Sequence, residues 1–170
     1  MRPEKSPHRV GIGAMLLLLA TLSAYIPAMR GGFIWDDDFY VTNNPTIQRL
    51  GGLREIWLET DANSQFYPVT FTSLWLQYRF SGLHPFGYHL VNVLLHASSA
   101  LLLWWILRSL GVPGAGVAAA IFALHPIEVE SVAWVTERKN VLSGVFYLAA
   151  GGLYLRHSLA DLSPSAGGEK

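Results

Sequence analysis

The chain has 170 residues, 51% hydrophobic and 14% charged, with a mean hydropathy of +0.31 and 12 basic residues balanced by 12 acidic ones. Soluble domains carry about a quarter of their residues as charges, so this composition argues against a disordered tail, a nucleic-acid binder and a soluble enzyme, and points to a membrane. The absence of cysteine excludes disulfides, thiolate catalysis and Cys-based metal sites.

Residues 1–9 read as a cytoplasmic tail. The first span is Val10 to Met29, 20 residues without a charge between Arg9 and Arg30. About 20 apolar residues rising 1.5 Å each cross a hydrocarbon core of about 30 Å. The basic leader Arg2, Lys5 and Arg9 also fits a signal peptide. The apolar segment is too long for one, however, and Ile26-Pro27-Ala28-Met29-Arg30 is a poor cleavage site. Residues 30–85 follow as a long external loop. In it, Gly31-Gly32 breaks the first helix and Asn43-Asn44-Pro45 marks a turn. Leu53 to Glu59 predicts a short helix. Phe71, Leu74, Trp75 and Tyr78 fall at i, i+3, i+4, i+7, predicting an amphipathic helix suited to the membrane interface.

Residues 86–157 hold three further spans around a short external loop at about 125–140. Uncharged stretches of 28, 19 and 16 residues separate Arg79 from Arg108, Arg108 from Glu128, and Lys139 from Arg156. Arg156 can snorkel and lengthen the last of them. Residues 158–170 read as a flexible tail. The expected fold is all-α, a polytopic membrane helix bundle of about four spans with short amphipathic helices in its long loop. Both termini fall on one side, with six basic and three acidic residues; the loops carry six basic and nine acidic. The short basic flanks place that first side in the cytoplasm, with the acidic loops facing outward.

Two acidic blocks carry the candidate chemistry. Asp36, Asp37 and Asp38 lie between aromatics just outside the first span. Three adjacent like charges repel, so they call for a cation, a polar substrate or a basic partner, or serve merely as a solvated loop or cap. One of them suits a general base. The second block runs from His125-Pro126 to Asn140. There Glu130, Trp134 and Glu137 are spaced as one helical face. Arg138 suits an anionic headgroup because a guanidinium chelates phosphate through two donors; Lys139 reads as an interfacial anchor. His89, Asn92 and His96 form a polar stripe in the second span, best read as interhelical hydrogen bonding. A proton or metal pathway is the other reading. Gly111, Gly114, Gly116, Gly144, Gly151 and Gly152 suit close helix packing.

Four blocks in order resemble a known family. They are Phe33-Ile34-Trp35-Asp36-Asp37-Asp38-Phe39-Tyr40-Val41-Thr42-Asn43-Asn44-Pro45, Tyr67-Pro68-Val69-Thr70, Gly82-Leu83-His84-Pro85-Phe86-Gly87-Tyr88-His89 through Asn92 to His96, and Ala123-Leu124-His125-Pro126 through Glu130 to Glu137-Arg138-Lys139. They resemble bacterial multi-span proteins with C-terminal tetratricopeptide repeats, similar to the transmembrane and tetratricopeptide-repeat O-mannosyltransferases. The resemblance covers roughly residues 10–157. It implies part of a GT-C-type fold and an inverting glycosyltransferase that uses a polyprenyl-phosphate-linked sugar as donor, with a divalent metal as a possible cofactor. By the resemblance, Asp36 and Asp37 are the catalytic acids (and the metal ligands, if a metal is used). Arg138, His125, Glu130 and Asp38 are the substrate-binding residues. Three positions depart from the family pattern: Tyr67 stands where Arg or His is frequent, Glu128 where bacterial relatives have His, and Asn140 where Asp is usual.

The implied partners are membrane lipids, a protein or other hydroxyl acceptor, and later spans with tetratricopeptide repeats in trans or absent; nucleic acid is not expected. The implied location is a bacterial inner membrane with the acidic loops in the periplasm. Full family members have about ten spans followed by repeats of 34 residues, a period this chain lacks. The expectation is therefore the N-terminal module of such an enzyme, incomplete by itself. The alternative is a non-catalytic assembly or lipid-binding module. A small transporter or channel subunit built on the histidine stripe is a third reading.

Overall fold

The computed structural model describes residues 7–161, and every regular element among them is helical. Most of both expected tails lies outside the described residues. The helices are α1 (Pro7–Ala24), α2 (Ile26–Met29), α3 (Pro45–Gln48), α4 (Gly52–Leu58), α5 (Pro68–Ser81), α6 (Pro85–Ser109), α7 (Ala115–Leu124), α8 (Val129–Ala133) and α9 (Arg138–Asp161). One π-helical turn covers Asp38–Thr42, and 3-10 turns cover Pro126–Glu128 and Val135–Glu137.

Helix starts follow local chemistry. Proline occupies the first turn of α2, α3, α5 and α6, where a missing N–H costs nothing. At α3 the Asn44 carbonyl oxygen accepts from the N–H groups of Thr46 (3.0 Å) and Ile47 (3.3 Å). The expected turn at Asn43-Asn44-Pro45 is thus a helix cap. Gly111 (φ +71°) and Gly114 (φ +78°) shape the α6–α7 turn, with open space where a Cβ would lie. Gly152 instead lets α9 approach: a Cβ there would sit 2.2 Å from the Trp105 ring. Close packing is therefore the role of Gly152 but not of Gly111 or Gly114.

Helix α6 is the central post. It packs against α1, α7 and α9. Leu17 and Ala100 share one apolar cluster, and Leu22 packs against another that holds Val93, so α1 runs antiparallel to α6. Helix α7 is also antiparallel to it, with the His96 ring 3.1 Å from the Ala123 carbonyl. Helix α9 runs alongside α6 in the same direction, Arg138 beside Asn92 and Gly152 beside Trp105. Three apolar clusters follow one another along α6 at Tyr88, Val93 and Ala100. The twelve helical steps from Tyr88 to Ala100 span about 18 Å.

Among the described residues, α6 alone is long and apolar enough to cross a bilayer as a single helix. Helix α7 and residues 126–133 qualify together as a pair bent by 46°, and the apolar part of α1, Val10–Ala24, is shorter. The expected four spans therefore reduce to one clear candidate and one bent pair. The apolar stretch of α6 is only 33% buried within the fold. Met15 and Leu16 of α1, Val117 and Ile121 of α7, and Phe146 and Tyr147 of α9 are also exposed. Apolar surface on this scale is unfavourable in water.

Residues 33–81 form a compact layer over the end where α6 and α9 begin. Tyr40, Val41, Ile47, Ile56, Phe71 and Leu74 close on Tyr88 and Val135. The expected helix at 71–80 is α5, but Phe71 and Leu74 are buried in this layer instead of facing a membrane interface. Trp75 packs against the same cluster, and the Arg79 guanidinium lies 4.8 Å from its ring centroid. Gly52 is required here: a Cβ on it would lie 1.7 Å from the Thr46 carbonyl oxygen, a backbone atom that cannot swing away. Gly52→Ala is expected to destabilise this layer by about 1–3 kcal/mol, the typical cost of overpacking. Thermal unfolding of the full chain checks it.

Candidate functional site

The first acidic block folds as a strained turn. Ile34 and Asp37 bond reciprocally, the Asp37 N–H to the Ile34 carbonyl (3.0 Å) and the Ile34 N–H to Asp37 Oδ2 (3.0 Å). Between them Trp35 takes φ +48°, the left-handed region. For a bulky side chain this costs on the order of 1–3 kcal/mol. The ring is three-quarters exposed and packs edge-on against Trp134, centroids 5.3 Å apart.

Asp37 holds this turn. It is fully buried, and its Oδ1 accepts from both the N–H (2.9 Å) and the hydroxyl (2.7 Å) of Thr136. One carboxylate therefore ties the first acidic block to the second across 99 residues of sequence. Charge-assisted bonds of this kind are about twice as strong as neutral ones. The three carboxylates are thereby separated. Asp37 points inward, Asp38 is exposed and accepts from the Thr42 hydroxyl (2.6 Å), and Asp36 is exposed with no protein donor on its carboxylate.

Asp36 opens into a cleft of about 400 Å³ whose lining includes Phe39, Tyr40, Gln65, Thr136 and Lys139. The Tyr40 hydroxyl donates to Gln65 Oε1 (2.8 Å). Burial raises the Tyr40 pKa above its usual value, and the Lys139 charge opposes that rise. Lys139 Nζ lies 2.7 Å from Glu137 Oε1 and 5.8 Å from the Tyr40 ring centroid. The Asn140 amide donates to the other oxygen of Glu137.

Arg138 is not at the surface where the sequence suggested it. It is fully buried, its Nε donating to Asn92 Oδ1 (2.9 Å), one terminal nitrogen to Gln77 Oε1 (2.7 Å) and the other to the Tyr88 carbonyl (2.9 Å). Burial lowers its pKa to about 10, partly opposed by Tyr88. The group stays charged at neutral pH, and every partner is a neutral acceptor. As placed, it cannot meet a headgroup; it joins α9, α6 and α5.

His125 is exposed and caps the 3-10 turn, its Nδ1 accepting from the Ile127 N–H (3.2 Å). Glu130 is exposed on α8. Neither lines the cleft. The helical face expected for Glu130, Trp134 and Glu137 does not form, because the chain breaks at Trp134 between α8 and the next 3-10 turn. The stripe His89, Asn92 and His96 is buried, and two members bond between elements: Asn92 donates to the Trp134 carbonyl (3.0 Å), and His96 meets Ala123. His89 has no hydrogen-bond partner on either ring nitrogen.

A divalent cation bridging Asp36 and Asp37 does not fit this arrangement. Both oxygens of Asp37 already accept from protein donors, and no group of three His, Asp or Glu side chains suited to a metal occurs among the described residues. Thr136, Tyr40, Gln65 and Gln77 carry no signal in the sequence that marks them for the site. Only their pairing across the fold distinguishes them, and nothing local marks it.

No family model matches the chain, and no solved structure matches it. Curated homologues are protein O-mannosyl-transferases. One from Caenorhabditis elegans is 28% identical over 170 residues, covering 91% of this chain and 25% of that protein. Protein O-mannosyl-transferase Tmtc1 of Drosophila melanogaster is 33% identical over 146 residues, 79% of this chain and 17% of that protein. Protein O-mannosyl-transferase TMTC1 of Mus musculus is 30% identical over 175 residues, 90% of this chain and 18% of that protein. The chain spans a quarter or less of the length of these relatives.

Proposed function

We propose that the chain is the acid-bearing membrane module of a GT-C-type glycosyltransferase, moving a mannose-like sugar from a polyprenyl-phosphate donor to a hydroxyl acceptor at the external face. The observation that carries this reading is the division of labour between two adjacent carboxylates. Asp37 is consumed in tying the two acidic blocks together, which leaves Asp36 unpaired at the mouth of the cleft. In the proposed step Asp36 takes the acceptor hydroxyl proton. The acceptor oxygen attacks the anomeric carbon, and the carbon–oxygen bond to phosphate breaks with its electron pair leaving on the lipid phosphate. A single displacement inverts the anomeric centre. Later spans and tetratricopeptide repeats would complete the enzyme, and the relatives' greater length supports this. A bacterial inner membrane with periplasmic acidic loops remains part of the proposal, supported by the charge asymmetry.

The test is sugar transfer from polyprenyl-phosphate mannose by the chain in bilayers, together with the later segments of a full-length relative. Transfer should be lost in Asp36→Asn while insertion persists; unchanged transfer sinks the assignment. A non-catalytic assembly or lipid-binding module is favoured by one observation, the burial of the arginine expected to face phosphate. Inserted protein with no transfer under any donor would support that reading.

A further inference from the structure

The cleft carries a cation, Lys139, whose place in the sequence suits an interfacial anchor. Lys139 lines it together with Asp36, whereas the neighbouring Arg138 is sealed in the core. The Lys139 side chain is 26% exposed, and its Nζ has one protein acceptor, Glu137 Oε1. An ammonium has three donors, so two remain for a ligand. Its position is also electrostatically unfavourable for a cation alone. Lys139 sits in the first turn of the 24-residue α9, at the positive end of the helix dipole, and no acidic residue lies in that turn. An anion bound there would interact favourably with both the ammonium and the helix end. Glu137, held by Lys139 on one oxygen and Asn140 on the other, supplies that negative charge from within the chain.

We propose that Lys139 is the anion-binding residue of the Asp36 cleft, receiving a phosphate oxyanion in exchange for Glu137. This rests on the glycosyltransferase reading for the identity of the phosphate, but not for the existence of the site. A hydroxyl acceptor needs a carboxylate and a phosphate needs a cation, and the cleft offers Asp36 for the one and Lys139 for the other. Exchange of one anion for another leaves the Lys139 ammonium paired throughout.

The test is calorimetric titration of the detergent-solubilised full chain with geranyl phosphate, inorganic phosphate and geraniol. Geranyl phosphate should bind and geraniol should not. Lys139→Met should weaken binding by about ten-fold or more, with Lys139→Arg retaining most of it. Glu137→Gln should tighten it several-fold by removing the competing carboxylate. Equal affinity for inorganic phosphate supports the site with a free anion as its ligand, and preference for geranyl phosphate supports it with a lipid phosphate. Unchanged affinity in Lys139→Met, with the protein folded by circular dichroism, overturns the proposal, as does weaker binding in Glu137→Gln. Binding needs no turnover, so Lys139-dependent binding without any sugar transfer overturns only the enzyme reading. Transfer that is lost in Asp36→Asn while Lys139→Met keeps wild-type affinity overturns only this one.

Discussion

Arg138→Ala is expected to cost about 3–5 kcal/mol of stability, the largest structural effect of any single substitution considered. The side chain is the largest fully buried one among the described residues, so truncation leaves a cavity. It also strands the carbonyl oxygens of Gln77 and Asn92, each a buried acceptor costing about 1–3 kcal/mol unpaired. Relief from burying the guanidinium charge offsets part of this. Arg138→Met refills the volume and removes the charge, so it should lose less than Ala. Arg138→Lys keeps the charge but replaces a planar fork with a point donor, and cannot satisfy three acceptors set around the fork. It should fall near Ala. Because the folded pKa of about 10 lies below the unfolded value, the charge penalty persists across neutral pH. It is relieved only as pH rises above about 10, where the unfolded chain binds more protons. Thermal unfolding of the four proteins in one detergent at pH 7 gives the order. A wild-type midpoint in Arg138→Ala overturns the keystone role.

Much of the framework is legible in residues that act on their immediate neighbours. Asn43-Asn44-Pro45 stops the chain where the sequence puts a turn, although Asn44 there caps a helix, whereas Gly111 and Gly114, which suit close packing by residue type, instead turn the chain between α6 and α7. Asn92 and His96 of the second-span stripe are legible for a similar reason, since polar side chains within an apolar helix seek partners inside the bundle, whereas His89 is buried without one. The candidate site is legible only as two acidic blocks. What separates Asp36 from Asp37 is Thr136, 99 residues away from Asp37, and nothing local says which aspartate will meet it. Arg138 misleads for the same reason. A guanidinium next to Glu137 and Lys139 reads as a surface group suited to an anionic headgroup, and its burial depends on Gln77, Asn92 and the Tyr88 carbonyl arriving from two other helices. The breaks at Tyr25, between α1 and α2, and at Trp134 in the second loop interrupt stretches that the sequence pattern treats as continuous.

Asp36→Asn and Asp37→Asn are expected to fail in different ways, although the residues are adjacent and carry the same charge. In Asp36→Asn no protein hydrogen bond is lost, so the unfolding midpoint should stay at the wild-type value. If Asp36 is the base of the proposed reaction, sugar transfer should fall by about 10²- to 10⁴-fold, the usual contribution of a general base. In Asp37→Asn the amide oxygen can still accept from Thr136 or from Ile34, but its NH₂ faces a donor that the carboxylate had accepted. With Oδ1 and Oδ2 both engaged, one oxygen cannot serve both sides. The mismatch is buried and should cost about 2–3 kcal/mol. It releases the Trp35 turn, whose left-handed backbone is held only while both ends are fixed. Transfer should then fall because Asp36 is no longer presented to the cleft, and Thr136→Val should reproduce a milder form by removing the hydroxyl while leaving the N–H bond. The discriminating measurement is the pair of midpoint and transfer rate for each variant. Loss of stability in Asp36→Asn, or full stability in Asp37→Asn, would reverse the assignment of base and clamp.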